Sequence, residues 1–196
     1  MELYLDTGVL AAYYAPEPAS AEAEGLVRAT PHPAISDLSE VELFAAITRK
    51  VRRAELALTD ARRIRAAFLA HLDAALYARV PLGREHYLLA RDWAGRESVG
   101  VGPRGALHLA AAALSGRTLA TLDPALAAAA AELGVEALPV EVEDGEAASV
   151  HEPPSVYGGD GGHTGRADRA EPADRTDAAD RAARAARAED GEEAAR

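Results

Sequence analysis

The 196-residue chain contains no cysteine, which removes disulfides, thiolate-bound zinc and cysteine nucleophiles from consideration. It also lacks a long apolar run. The longest, Ala106 to Leu114, includes His108 and falls well short of the ~20 residues that a membrane-spanning helix needs. Nothing at the N-terminus joins a basic segment to an apolar one, so no secretory signal is expected, and a cytoplasmic protein with no membrane partner is the default. A glycine-rich phosphate loop ending in lysine is missing, as is a Gly-x-Ser-x-Gly nucleophile elbow. Basic excess is missing too. The formal charge is −11, but 15 of the 32 acids and 7 of the 21 bases lie from Glu141 onwards, leaving 17 acids and 14 bases before it. A near-neutral folded part neither suggests nor excludes a nucleic-acid partner.

What is present changes character near Val140. Up to that point short apolar runs alternate with helical patterns, over a length that can bury a real core. Beyond it the chain is Gly, Asp, Glu, Ala and Arg with almost no large apolar residue, and residues 141–196 are expected to be a disordered acidic tail. Strands are expected at Leu3–Leu5, Ala34–Ser36, Thr118–Leu122 and Val135–Val140. Val80-Pro81-Leu82 is a poor strand, placed at an edge or in a connection because of its proline. Helices are expected from Val9, Ala19, Ser39, Leu58, Glu85, Pro103 and Asp123, the sixth closed by Gly116 and the last ending at Gly134. This alternation argues for an α/β domain with a short parallel sheet covered on both faces.

Three acids stand out. Asp6 follows the strand Leu3–Leu5, and Asp123 follows Thr118–Leu122. Each is a good helix N-cap, and each also stands at the carboxyl edge of a parallel sheet, where open α/β folds place their sites. Glu42 lies among Val41, Leu43, Phe44 and Ala45, where a solvated acid is out of place. Ser39 and Glu42 have capping-box spacing, so a local role for Glu42 stays open. Asp37 and Glu40 read as solvated first-turn acids. Three carboxylates converging on one sheet edge repel one another and take up protons unless a hard divalent cation neutralises them.

Leu5-Asp6-Thr7, Ile35-Ser36, Val41-Glu42-Leu43 with Arg49-Lys50, Ala106-Leu107-His108-Leu109-Ala110-Ala111 and Thr121-Leu122-Asp123 follow one another in order. Together they resemble a PIN domain, most closely the VapC-type ribonuclease toxins of bacterial toxin–antitoxin pairs. The resemblance covers roughly residues 1–140. It implies a PIN-like three-layer α/β fold and a metal-dependent endoribonuclease, in which Asp6, Glu42 and Asp123 bind Mg2+ or Mn2+ and act on RNA. It also implies a cognate antitoxin and a second copy of the chain as partners. Thr7 would support Asp6 by a hydrogen bond, and His108 would be a satisfied core histidine. A haloacid-dehalogenase-type phosphatase also begins strand–aspartate, but it needs a second aspartate where Gly8 stands.

The chain departs from the family pattern at Gly105, where a further aspartate is expected, with Arg104 beside it. Losing that acid removes charge from the metal site and opens the alternative of a catalytically impaired RNA- or protein-binding module. An aspartate restored at Gly105 is expected to strengthen metal binding, and Glu97 is the nearest acid before it. Arg49, Lys50, Arg52 and Arg53, with Arg62, Arg63 and Arg65, either contact RNA phosphates or, for the first four, answer a helix dipole.

Overall fold

A computed structural model describes residues 1–141, and the disorder expected of the tail lies outside the described residues. Within them five strands and seven helices alternate: β1 (Leu3–Leu5), α1 (Thr7–Tyr14), α2 (Ser20–Ala29), β2 (Ala34–Ser36), α3 (Asp37–Arg52), α4 (Leu58–Asp73), β3 (Ala78–Val80), α5 (Arg84–Ala94), α6 (Pro103–Ser115), β4 (Thr118–Thr121), α7 (Pro124–Leu133) and β5 (Ala137–Pro139). All strand pairs are parallel, in the order β3-β2-β1-β4-β5. No helix among the described residues is long and apolar enough to cross a membrane.

Successive strand residues point to opposite faces, and β1 divides its side chains between two layers accordingly. Leu3 and Leu5 pack into one apolar layer with Leu10 and Tyr14 of α1, Leu43 and Ile47 of α3, and Phe68 of α4. Tyr4 turns the other way, into a second layer with Trp93 of α5, Leu109 of α6 and Leu126 of α7. The sheet is therefore the middle of three layers. Fully burying a side chain such as Leu43 or Ile47 contributes about 1.5–3 kcal/mol. Gly116 and Gly134 end α6 and α7 in left-handed backbone, with φ of 67° and 69°, where a side chain would be strained.

Several boundaries differ from expectation: α1 begins at Thr7, not Val9, β4 ends at Thr121, and β5 is only Ala137–Pro139. β3 is Ala78–Val80, so Pro81 follows the strand instead of interrupting it, and the strand does lie at the sheet edge. Helix α3 begins at Asp37, directly after β2, because Ser36 is its N-cap and its backbone N–H donates to Ser39 Oγ at 3.3 Å. Ser39 is thus inside the helix. The capping-box role left open for Glu42 is excluded, and that side chain is free to serve elsewhere.

Candidate active site

Parallel strands β1 and β4 are neighbours, with Leu5 paired to Ala120, so the residues that follow them emerge side by side. Asp6 and Asp123 are those residues. Both are also helix N-caps, as their residue type favours. Asp6 Oδ1 accepts from the Val9 N–H at 2.9 Å, and Asp123 Oδ1 accepts from the Ala125 N–H at 2.9 Å. Capping turns each carboxylate toward the carboxyl edge of the sheet. Glu42 reaches the same place from the second turn of α3.

All three acids line one cavity of about 550 Å³, with Thr7, Gly8, Gly100 to Gly105, His108, Leu122, Ala125 and Leu126. Glu97 does not line it. The carboxylates share this cavity without forming a ready-made cage: among the described residues no three His, Asp or Glu side chains are grouped so that they could hold a metal ion.

The environments of the acids differ. Asp6 is only 5% exposed and has no ion-pair partner among the described residues. Thr121 Oγ1 donates to its Oδ2, and the same hydroxyl accepts from the Asp123 N–H at 3.0 Å. Desolvation outweighs these bonds and raises the Asp6 pKa above its ordinary value. Glu42 shows the reverse. Burial opposes its ionisation, but hydrogen bonds from His108 and Thr7 and the charges of His108 and Arg104 prevail, holding it at about 2. Its Oε2 receives His108 Nε2 at 2.8 Å and Thr7 Oγ1 at 2.5 Å, while Arg104 Nη1 lies 3.3 Å from Oε1.

Thr7 therefore supports Glu42, not Asp6 as expected from the sequence. It is the first residue of α1, and its hydroxyl points toward α3 and α6, whereas Thr121 of the neighbouring strand lies against Asp6. His108 is a satisfied buried histidine, as expected, and it also does something the sequence did not disclose. Its Nδ1 lies 2.8 Å from the Tyr4 hydroxyl, which lies 2.7 Å from Ser36 Oγ. Burial pushes the Tyr4 hydroxyl up to about 12, so it keeps its proton at neutral pH. Nε2 of the ring faces Glu42 while Nδ1 faces the Tyr4 hydroxyl. A line of hydrogen bonds thus runs from the middle of the sheet to Glu42.

Gly105 is closely covered. A Cβ there would lie 2.9 Å from Val101 Cγ2 and 3.0 Å from Leu126 Cδ1. The space beside Gly105, where the sequence resemblance led an acid to be expected, is bordered by apolar side chains. A second cavity of about 530 Å³ shares Thr7, Gly8, Glu42 and Arg104 with the first and carries Arg49, Lys50 and Arg53 on its wall. Lys50 pairs with Glu17 at 3.0 Å and Arg53 with Glu55 at 3.9 Å. Arg65 lies elsewhere, on Thr48 and over the Phe44 ring.

The fold is shared with known proteins. FitAB bound to an IR36 DNA fragment superposes with a TM-score of 0.54 at 16% identity, covering 70% of this chain and 94% of that one. VapC20 of Mycobacterium tuberculosis, a sarcin-ricin loop cleaving toxin, gives 0.53 at 15% identity, covering 65% and 95%. FitAcB of Neisseria gonorrhoeae gives 0.50 at 19% identity, covering 69% and 95%. At such identities the likeness is one of fold. No curated protein sequence matches the chain. The sequence profile of the PIN domain matches residues 3–132, and the chain belongs to the PIN domain family.

Proposed function

We propose that the chain is a metal-dependent endoribonuclease of the PIN type, in which Asp6, Glu42 and Asp123 hold a Mg2+ or Mn2+ ion. The observation that carries this reading is the shared cavity. Three carboxylates line it from two adjacent strand ends and a facing helix, and the most buried of them, Asp6, forms no ion pair among the described residues while desolvation opposes its charge. Hard oxygen donors of this kind fit a hard divalent cation. Bound there, such a cation supplies water that ionises near neutral pH and stabilises charge on a phosphodiester.

The chain's own residues set the stage for that chemistry. Thr121 fixes Asp6 and, through the Asp123 N–H, the start of α7. Thr7 and His108 fix one oxygen of Glu42 and keep the group ionised. Arg49 and Arg104 on the adjoining wall offer charge to RNA phosphates. On this reading the chain is the toxin of a toxin–antitoxin pair in the cytoplasm, with an antitoxin partner, self-association and residues 1–140 as the nuclease domain; the fold-level likeness to the toxin VapC20 supports the toxin role. One observation favours a second reading, a non-catalytic binding module: Val101 and Leu126 border the space beside Gly105, where the family's further acid is expected.

The test is cleavage of a mixed-sequence RNA pool by the metal-free full chain with Mn2+ added back. Cleavage that EDTA stops and that both Asp6→Asn and Asp123→Asn abolish supports the nuclease. RNA binding without cleavage at any Mn2+ or Mg2+ concentration supports the binding module.

A further inference from the structure

We infer that Arg104 is a resident counter-ion of Glu42 which a divalent cation displaces, and that the displaced guanidinium then holds a phosphate of the RNA. This rests on the reading of the cavity as a cation site. Three observations lead to it. Glu42 Oε2 is already committed to Thr7 and His108, so Oε1 is the oxygen it presents to an incoming cation, and Arg104 stands on Oε1 at 3.3 Å. The Arg104 side chain is 77% exposed while that of Glu42 is 11% exposed, so the arginine can leave and the glutamate stays. Arg104 also belongs to the wall between the two cavities.

That last placement decides where the guanidinium goes. On the basic wall Lys50 and Arg53 are already paired, with Glu17 and Glu55, whereas Arg49 has no ion pair among the described residues. Arg104 swung away from Glu42 joins Arg49 as the second uncommitted guanidinium beside the acids. A guanidinium is suited to a phosphate because its planar N–H groups match two oxygens at once. The site thus trades one cation for another: the arginine answers Glu42 when the metal is away, and answers the substrate when the metal is present.

The experiment measures Mn2+ affinity of the metal-free full chain by electron paramagnetic resonance, for the parent, Arg104→Ala, Arg104→Lys and the control Arg63→Ala. Arg63 is the matched control because its exposed ion pair with Asp60, 3.4 Å long, lines neither cavity. Removing an exposed ion pair that competes with the metal should tighten Mn2+ binding about two- to fivefold in Arg104→Ala. Arg104→Lys should stay near the parent, and Arg63→Ala should not differ from it. Steady-state cleavage of a mixed-sequence 12-nucleotide RNA then reads the second half: Arg104→Ala should raise KM severalfold without lowering kcat.

Mn2+ binding by Arg104→Ala but not by the parent also supports the inference. Tighter Mn2+ binding with unchanged KM overturns the phosphate contact. Equal Mn2+ affinity in a parent that does cleave RNA overturns the inference and leaves the nuclease standing. Absence of Mn2+ binding in every variant removes the cation site, and the inference with it.

Discussion

At the scale of single residues, Asp6 and Glu42 share a cavity yet have opposite electrostatic histories. The folded pKa of Asp6 is raised above its ordinary 3.8, so keeping it ionised costs stability; the cost is absent below 3.8 and complete once pH exceeds the folded value. Glu42 is depressed from 4.5 to about 2, so its contribution is present above 4.5 and is lost as pH falls through that window. At pH 7 without metal, Asp6→Asn should therefore stabilise the chain by about 0.5–2 kcal/mol, as function-bearing buried charges commonly do when removed. Glu42→Gln should destabilise it by roughly 1–3 kcal/mol, because its bonds lose their charge assistance. Thermal melts at pH 7 and pH 4 check both: the two differences should have opposite signs and shrink at the lower pH. Equal signs at pH 7 would overturn this account of the site.

The placement of Asp6 and Asp123 at strand ends was legible in the sequence because strand–acid–helix is a local pattern, whereas Glu42 stood out only as an acid among apolar residues of a helix. Their hydrogen-bond partners were not. Thr121 lies 115 residues from Asp6 and His108 lies 66 from Glu42, and no local spacing reports a contact made by the pairing of β1 with β4 or by side chains of α6 and α3 meeting at the sheet edge.

At the scale of elements, the N-terminus of α6 is where this chain parts from its family's pattern. The glycine at 105 was visible in the sequence, but what had filled the space was not. A Cβ there would lie 2.9 Å from Val101 Cγ2 and 3.0 Å from Leu126 Cδ1, so the gain expected from an aspartate depends on these methyl groups giving way. Gly105→Ala should cost about 1–3 kcal/mol through overpacking, against at most ~1 kcal/mol regained from helix propensity. Gly105→Asp should strengthen Mn2+ binding only when Val101→Ala makes room for it. Melting curves of Gly105→Ala and Mn2+ titrations of the single and double variants check the two statements. A stabilised Gly105→Ala would show that the neighbours yield freely.

Helix α3 was legible in its existence but not in its start. Ser36 and Ser39 are both good caps, and sequence alone does not say which one begins the helix. The short strand β2 decides it, because Ser36 is the last residue paired with β3, to Val80, and the helix must begin at once.

At the scale of the molecule, three layers built from residues 3–139 bury both faces of the sheet, and Val140 packs beside the first layer with its N–H on the Thr121 carbonyl. A chain ending at Glu141 should then melt within about 2 °C of the full chain, since a segment with almost no large apolar residue has little to contribute to a core. A larger fall in the melting temperature would move the domain boundary. The three-layer α/β architecture itself was legible from the alternation of apolar runs, because each parallel strand must be followed by a crossover helix. The convergence of the acids tests the functional half of the account most directly. Crystals of the full chain soaked in Mn2+ should show an anomalous peak in the cavity with oxygens of Asp6, Glu42 and Asp123 at about 2.0–2.6 Å, as hard cations require. A fully soaked crystal with no peak there, or with Mn2+ bound away from these three carboxylates, would contradict it.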